Sequence, residues 1–262
     1  MFAKLMDART TWLLFAFFGL AIAPNVARAA SQNDGVEPDV YILNTSTGAP
    51  YATADHMGFQ DLIVDEAFRR IGLKGRVESY EASARALINA NEGIDHGVAM
   101  RIQGLEKKYP NLVRVPERLV ENDFVAYSSG LELSTDSWDS LKPYVVAYIN
   151  GWVVFERNLA EDQNKTAVRD PRQMFEMLAK GRVDLVLYER WQGLQRAQET
   201  ALAVKVHEPP LASADMFIYV HKKYAHLVPK LAQALRDMKA DGTYQKIFAK
   251  TLSSLLPQAP NP

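Results

Sequence analysis

Cysteine chemistry and the common catalytic motifs are absent from this sequence, so any chemistry must come from charged and aromatic side chains. Without a thiol there is no thiolate nucleophile. The chain also has no Gly-x-Ser-x-Gly elbow, no His-Glu-x-x-His zinc helix and no phosphate-binding glycine loop. Carboxylates alone can do acid and base work, but nothing here demands an enzyme. The histidines show no metal-ligand spacing, so we expect no metal and no cofactor: His56, His96, His207, His221 and His226.

Two segments of the chain share one pattern and finish near polar groups. Residues 93–98 and 181–189 each follow an amphipathic helical pattern that a glycine ends, and each then runs from an aspartate into an apolar strand. We expect those aspartates, Asp95 and Asp184, to be turn residues that begin the strands. Because two similar α/β units occur in one chain, we predict two lobes with a cleft between them.

Predicted strands and helices alternate along the chain. Strands are predicted at residues 40–43, 76–80, 97–99, 112–115, 124–127, 144–149, 183–188 and 216–220. Helices are predicted at residues 59–71, 82–92, 170–181, 189–200 and 225–239, with a last helix ending near residue 252. This alternation favours an α/β fold with a largely parallel sheet and helices on its faces.

The first 29 residues have the three-part layout of a secretory signal peptide. Lys4 and Arg9 precede an uncharged apolar run, and a small-residue cleavage site follows at residues 27–29. The apolar run is shorter than the roughly 20 residues of a membrane-spanning helix. We therefore expect cleavage after Ala29 and a periplasmic location, with an uncleaved membrane anchor as the alternative. Residues 257–262 are rich in proline and are expected to form a flexible tail.

Charge and length exclude some classes of protein. The formal net charge is −1 and no basic stripe occurs, so we expect no nucleic-acid partner. A chain of more than about 200 residues can bury a large core without disulfides. The 262 residues, none of them cysteine, must therefore fold through packing alone.

Several short motifs follow one another along the chain in a recognisable order. They are Pro50-Tyr51, Gly58-Phe59, the Asp95 strand with Glu106-Lys107, Leu141-Lys142 before a strand ending at Gly151, Gly181-Arg182-Val183-Asp184, and Asp241-Gly242-Thr243-Tyr244. Their order and spacing resemble those of the bacterial extracellular solute-binding proteins of family 3. The resemblance covers most of the chain after the signal peptide.

The resemblance implies a type II periplasmic binding protein fold, with two α/β lobes joined by two crossing strands. Lobe 1 would comprise residues 38–127 and 214–256, and lobe 2 residues 128–213, with crossings near residues 127–130 and 211–216. The lobes would close on a small-molecule ligand in the cleft. We expect a monomer, with an ABC permease as the membrane partner.

The resemblance also implies positions for charged ligand contacts. Lys107 stands where amino-acid-binding members usually have an arginine that grips the ligand carboxylate, and lysine lacks that bidentate geometry. Arg101, six residues after Asp95, is the replacement candidate, with a surface ion pair as its alternative. Glu189, five residues after Asp184, stands where the family often has the aspartate that receives the ligand ammonium. Its alternative is a helix N-terminal acid stabilised by the helix dipole.

Aromatic and amide side chains complete the expected site. Tyr51 occupies a position where the family places a ring that stacks on the ligand. Trp152 follows Gly151, where a small hydroxyl residue is common, so its ring could cover a ligand, fill the cleft or belong to the core. Gln103 could add a hydrogen bond to the ligand or remain an exposed loop amide.

These observations leave three hypotheses about function. The first is a periplasmic receptor that captures a small polar, amino-acid-like or anionic solute for an ABC importer. The second is a dehydratase-like enzyme on the same scaffold, with Glu106 and Glu189 as acid and base candidates. The third is a pair of lobes that senses a ligand for a membrane signalling protein.

Overall fold

The computed structural model describes residues 38–256, so the predicted signal peptide (residues 1–29) and flexible tail (257–262) lie outside the described residues. The strands are β1 (Tyr41–Thr45), β2 (Gly75–Ser79), β3 (Gly97–Ile102), β4 (Leu112–Arg114), β5 (Val120–Ser128), β6 (Val146–Ile149), β7 (Lys165–Val168), β8 (Leu185–Glu189), β9 (Lys205–Val206) and β10 (Ala212–His221). The α-helices are α1 (Phe59–Arg70), α2 (Ser83–Asn91), α3 (Val153–Asn158), α4 (Pro171–Ala179), α5 (Arg190–Glu199), α6 (Val228–Ala240) and α7 (Thr243–Thr251). No helix within residues 38–256 is both long enough and apolar enough to cross a membrane.

The strands of the described residues join in one mixed sheet. Its order is β2-β1-β3-β10-β5-β8-β6-β7, while β4 pairs with β10 and β9 with β5. Strands β2, β1 and β3 run parallel at one end, and β8, β6 and β7 run parallel at the other. The long strands β5 and β10 lie antiparallel between these two groups. The chain thus has the predicted α/β architecture of two lobes joined by two crossing strands.

Strand β5 passes from one group of strands to the other. Its first half pairs with β10, from Val120 opposite Met216 to Phe124 opposite Ala212. Its second half pairs with β8, where Tyr127 lies opposite Val186. The crossings predicted near residues 127–130 and 211–216 fall at the end of β5 and the start of β10. The lobe boundaries themselves remain a prediction.

Helix α4 begins where the sequence predicts it. The Asp170 carboxylate accepts a hydrogen bond from the Arg172 N–H at 2.9 Å, and Pro171 takes the first helical position. Both residues stabilise the start of a helix, because the capping oxygen of Asp170 accepts a hydrogen bond from a free N–H and Pro171 has no N–H that needs an acceptor. Met174, Phe175 and Leu178 form the buried face of α4. The apolar spacing in the sequence therefore orients this helix against the sheet.

Gly97 allows a close approach between β3 and β10. A Cβ atom at residue 97 would lie 2.2 Å from the carbonyl oxygen of Tyr219, a contact that requires the paired strands to separate. We expect Gly97→Ala to lower the free energy of unfolding by about 2 kcal/mol, measured by urea denaturation. Gly48→Ala is the control, since a Cβ there would meet nothing within 4 Å. Equal stability of the two variants would contradict the packing described.

Candidate functional site

A cleft of about 570 Å³ lies where the two groups of strands meet the crossing strands. It lies at the carboxyl ends of β1, β3, β6 and β8, the usual place for ligands in open α/β sheets. Its polar lining includes Thr47, Ser83, Arg101, Asn122, Glu189 and Gln192. Its apolar lining includes Met100, Ile102, Phe124, Trp152, Val153 and Met216. The cleft therefore combines a few polar groups with largely apolar walls.

Arg101 gives the cleft a positive charge. Its Nη2 donates hydrogen bonds to the Ser46 and Ser83 hydroxyls at 2.8 and 3.0 Å, and its Nη1 donates to the Met100 carbonyl at 3.1 Å. Arg101 forms no ion pair with any carboxylate among residues 38–256. Burial lowers the pKa of the guanidinium, which still stays charged at neutral pH. The arrangement leaves an uncompensated cation facing the cleft, unlike the surface ion pair considered as the alternative.

Glu189 closes the floor of the cleft at the end of β8. Its Oε2 accepts a hydrogen bond from the Gln192 N–H at 2.9 Å and so caps α5. Its Oε1 lies 2.8 Å from the Tyr51 hydroxyl, which also lies 3.0 Å from Oδ1 of Asn122. The helix N-terminal role considered from the sequence is therefore present, and Glu189 lines the cleft at the same time.

Burial sets the protonation of Glu189. Loss of solvent raises the pKa of this carboxyl from 4.5 to about 7, although hydrogen bonds from the Gln192 N–H, the Tyr51 hydroxyl and the Trp191 N–H oppose the shift. The negative charge of Asp123 raises the pKa further. Glu189 therefore carries its proton for a substantial part of the time near neutral pH, which is a property typical of functional sites.

The hydrogen-bond chain in the cleft floor fits a protonated Glu189. The Tyr51 hydroxyl has one proton and cannot donate it to both Glu189 and Asn122. When Glu189 is neutral, its O–H donates to the Tyr51 oxygen and the Tyr51 O–H donates to Oδ1 of Asn122. Every atom in the chain is then satisfied, and the Asn122 Nδ2 stays available to a ligand.

Removing the Tyr51 hydroxyl tests the hydrogen bonds that connect Glu189, Tyr51 and Asn122. We expect Tyr51→Phe to cost about 1–2 kcal/mol of unfolding free energy, because oxygens of buried Glu189 and Asn122 lose their partner. The matched control is Tyr144→Phe, since the Tyr144 hydroxyl makes no hydrogen bond with any residue from 38 to 256. Urea denaturation at neutral pH measures both. A cost no larger than that of the control would contradict the arrangement.

Trp152 belongs to an aromatic group on one wall of the cleft. Its ring stacks on Tyr188 with centroids 4.7 Å apart, and it meets Phe124 edge to face at 5.9 Å. Phe155 also stacks with Trp152 at 5.8 Å. The half-buried indole thus packs against the hydrophobic core and also lines the cleft. Of the three roles considered from the sequence, the core role is present and the indole also lines the cleft, while contact with a ligand remains a prediction.

The structure brings together only part of the predicted site. Arg101, Trp152 and Glu189 line the cleft. Tyr51 is fully buried and touches the cleft floor through Glu189 and Asn122, so its ring presents no face to a ligand in this conformation. The exposed Gln103 and Lys107 lie outside the cleft lining. The roles of all six residues in ligand binding remain predictions.

Two further positions bear on the alternatives. Glu106, the other acid candidate of the enzyme hypothesis, is exposed and accepts a hydrogen bond from the Tyr219 hydroxyl at 3.3 Å. It does not line the cleft. Asp95 and Asp184 lie in bends just before β3 and β8, at the strand starts where the sequence placed them, and their carboxylates accept hydrogen bonds from the Asn44 side chain and the Val145 N–H. Glu189 is therefore the only carboxylate that the described residues bring to the cleft.

The cleft also has four lining residues that were not predicted from the sequence: Asn122, Phe124, Ile102 and Val153. Asn122 lies in the polar triplet Glu121-Asn122-Asp123 directly before a predicted strand. That triplet, at the start of a crossing strand, is the signal that could have identified it. Ile102 lies beyond the strand predicted at residues 97–99 and Val153 lies outside every predicted helix, so only the fold, which places them in β3 and α3, shows that they line the cleft.

The sequence of this chain has limited similarity to known proteins. No protein-family model matches the chain. An uncharacterized protein of Shewanella oneidensis is 26% identical over 199 residues, which cover 73% of this chain and 75% of that protein.

Solved structures are similar to this chain over most of its length, although their sequence identity is low. An ancestral arginine-binding protein bound to arginine has a TM-score of 0.65 at 21% identity, covering 82% of this chain and 98% of that chain. Substrate binding domain 2 of Lactococcus lactis GlnP, in an open conformation, has a TM-score of 0.65 at 19% identity, covering 86% and 98%. A histidine kinase sensor domain similar to periplasmic binding proteins has a TM-score of 0.65 at 15% identity, covering 82% and 96%. The chain therefore has the two-lobed fold of the periplasmic binding proteins, as its motifs predicted.

Proposed function

We propose that this protein is a periplasmic member of the family 3 solute-binding proteins that captures a small anionic solute by closing its two lobes. The observation that carries the proposal is the unpaired Arg101 guanidinium in a cleft at the carboxyl ends of the strands. A cation without a protein counter-ion, partly removed from water, attracts an anion more strongly than an exposed one does. Closure would exclude water and strengthen these contacts.

The structural neighbours support a binding role. Neighbouring structures contain bound arginine, glutamine or glutamate, and one neighbour is the substrate binding protein of an amino acid ABC transporter. Another is a kinase sensor domain, so the same fold serves transport and sensing. We propose delivery to an ABC permease and treat sensing as the competing use. Copurification with a permease supports the first, and copurification with a histidine kinase supports the second.

A thermal-shift screen of amino acids, organic acids and amines tests the proposal. Ligand at about 100 times its dissociation constant should raise the free energy of unfolding by roughly 2.7 kcal/mol. Native mass spectrometry of the purified protein should also reveal any retained small molecule. A screen in which no anionic compound raises the melting temperature would count against the receptor role.

Glu189 gives a specific reason to keep the enzyme as a second candidate. A cleft carboxyl with a pKa of about 7 is suited to both giving and taking a proton. Turnover of a bound acid that disappears in Glu189→Gln would favour catalysis. Stoichiometric binding without any product would favour the receptor.

A further inference from the structure

We infer that the cleft selects an organic acid with an apolar body and no ammonium group, such as an arylalkyl or branched-chain carboxylate. This inference rests on the proposed function, because it names the ligand class of the same cleft. It separates this chain from its structural neighbours bound to arginine, glutamine or glutamate. Each of those ligands carries an ammonium group beside its carboxylate.

The acid group has a defined place at Arg101. Three hydrogen bonds to Ser46, Ser83 and the Met100 carbonyl hold the guanidinium. Two of its five N–H donors remain for a ligand. The serine hydroxyls accept from Arg101, so their own protons are also free to point at an anion. A carboxylate here would receive a charge-assisted contact without competing with a protein acid.

An ammonium group has no comparable place. Glu189 is the only acid among the described residues that line the cleft, and it is only 1% exposed. Its two oxygens already contact the Tyr51 hydroxyl and the Gln192 N–H. Neutral oxygens on Thr47 and Gln192 can accept hydrogen bonds, but they do not balance a charge that has left water. The Arg101 cation would repel an ammonium as well.

The body of the ligand would meet apolar side chains. Ile102 and Val153 line the cleft and are 51% and 50% exposed, which is unfavourable unless a ligand covers them. Phe124 and Trp152 add an aromatic wall, and Met216 adds an adaptable thioether. An apolar surface of this kind beside a single cation matches an acid with a hydrocarbon tail.

Titration calorimetry with matched compounds tests the inference. The probes are phenylpropionate, phenylalanine and phenethylamine, which share one ring and differ in acid and ammonium groups, with isocaproate and leucine as an aliphatic pair. We expect each deaminated acid to bind at least roughly thirtyfold more tightly than its amino acid. We expect no measurable binding of phenethylamine.

Substitutions in the apolar wall provide a second readout. Ile102→Ser and Val153→Ser should each weaken binding of the acids about three- to tenfold, because a hydrocarbon contact is lost. Both positions are half exposed, so the fold should tolerate the changes. Ile94→Ser is the matched control, since Ile94 is 67% exposed and lies outside the cleft. The control should bind like the wild type.

The outcomes separate this inference from the proposed function. Amino acids that bind as tightly as their deaminated counterparts, or more tightly, would overturn the inference and leave an anion-binding receptor in place. Ile102→Ser and Val153→Ser variants that bind the acids as tightly as the Ile94→Ser control would also overturn the inference. If no acid, amino acid or amine of the panel binds at millimolar concentration, the inference falls, and the receptor role falls with it only when the broader screen of anionic compounds also shows no stabilisation.

Discussion

Replacing Arg101 by glutamine should weaken binding of an anionic ligand by about a hundredfold. The substitution keeps a polar side chain but removes the only cation that lines the cleft in the described part of the chain. A hydrogen bond to a charged group is worth about 1.5–3 kcal/mol, and each 1.4 kcal/mol changes affinity about tenfold. Arg101→Lys should lose less, because it keeps the charge and loses only the planar donors. Titration calorimetry with the most effective acid of the screen measures both.

Two other cations provide the comparison for Arg101. Arg85→Gln is the control, because Arg85 is exposed on α2 and lies outside the cleft. Lys107→Gln is the discriminating variant, since the family resemblance assigns Lys107 the carboxylate-binding position and the structure places it away from the cleft. We expect near wild-type affinity for both. Loss of binding in Lys107→Gln with retention in Arg101→Gln would contradict the proposed site.

Replacing Glu189 by glutamine should abolish a pH-dependent loss of stability. The folded-state pKa of Glu189 is about 7, against 4.5 in an ordinary environment, because burial disfavours the charged form. The folded protein therefore holds this proton more tightly than the unfolded chain does. The stabilisation that the folded protein gains from this tightly held proton is complete below about pH 4.5 and is lost as the pH rises through 7. The pKa shift corresponds to about 3 kcal/mol of unfolding free energy, which is lost at alkaline pH.

Denaturation at two pH values measures this effect. Glutamine resembles the neutral acid, since its amide can donate to the Tyr51 oxygen and its carbonyl can accept from the Gln192 N–H. The stability of Glu189→Gln relative to wild type should rise by about 3 kcal/mol between about pH 4.5 and about pH 8. The exposed Glu81→Gln is the control and should show no such trend. A parallel pH dependence of Glu189→Gln and wild type would mean that folding does not raise the pKa of Glu189.

The regular parts of the fold follow from local sequence. Helix α1 begins at Phe59 as expected, because Phe59, Ile63 and Ala67 repeat at helical spacing and form a buried face. The start of α4 follows from the capping oxygen of Asp170 and the preset backbone of Pro171. In each case, the residues that specify the element lie within a few positions of one another.

The crossing strands were predicted too short for a physical reason. The sequence indicates a strand only from Phe124, yet β5 begins at Val120, because Glu121, Asn122 and Asp123 interrupt the apolar pattern. Their partners come from distant parts of the chain: Asn122 contacts Tyr51, and Asp123 forms an ion pair with Arg190. Polar residues in these strands serve the cleft and the crossing, so local pattern cannot reveal their structure.

The edge strand β7 was missed because its sequence has no strand pattern. Residues Lys165, Thr166 and Ala167 are only partly buried or exposed, and the strand exists through its parallel pairing with β6. The position of Tyr51 shows the same limit for the site. Its place after the first strand follows from sequence, but its full burial under Glu189 depends on a contact across 138 positions.

A crystal structure of the protein with its most effective acid ligand would show whether Arg101 and the apolar side chains of the cleft form the binding site. We expect the acid oxygens in the cleft within about 3 Å of the Nε or Nη1 of Arg101, with the ligand body against Ile102, Phe124 and Trp152. A ligand bound elsewhere, or one that sits in the cleft with its acid group turned away from Arg101, would contradict this binding site.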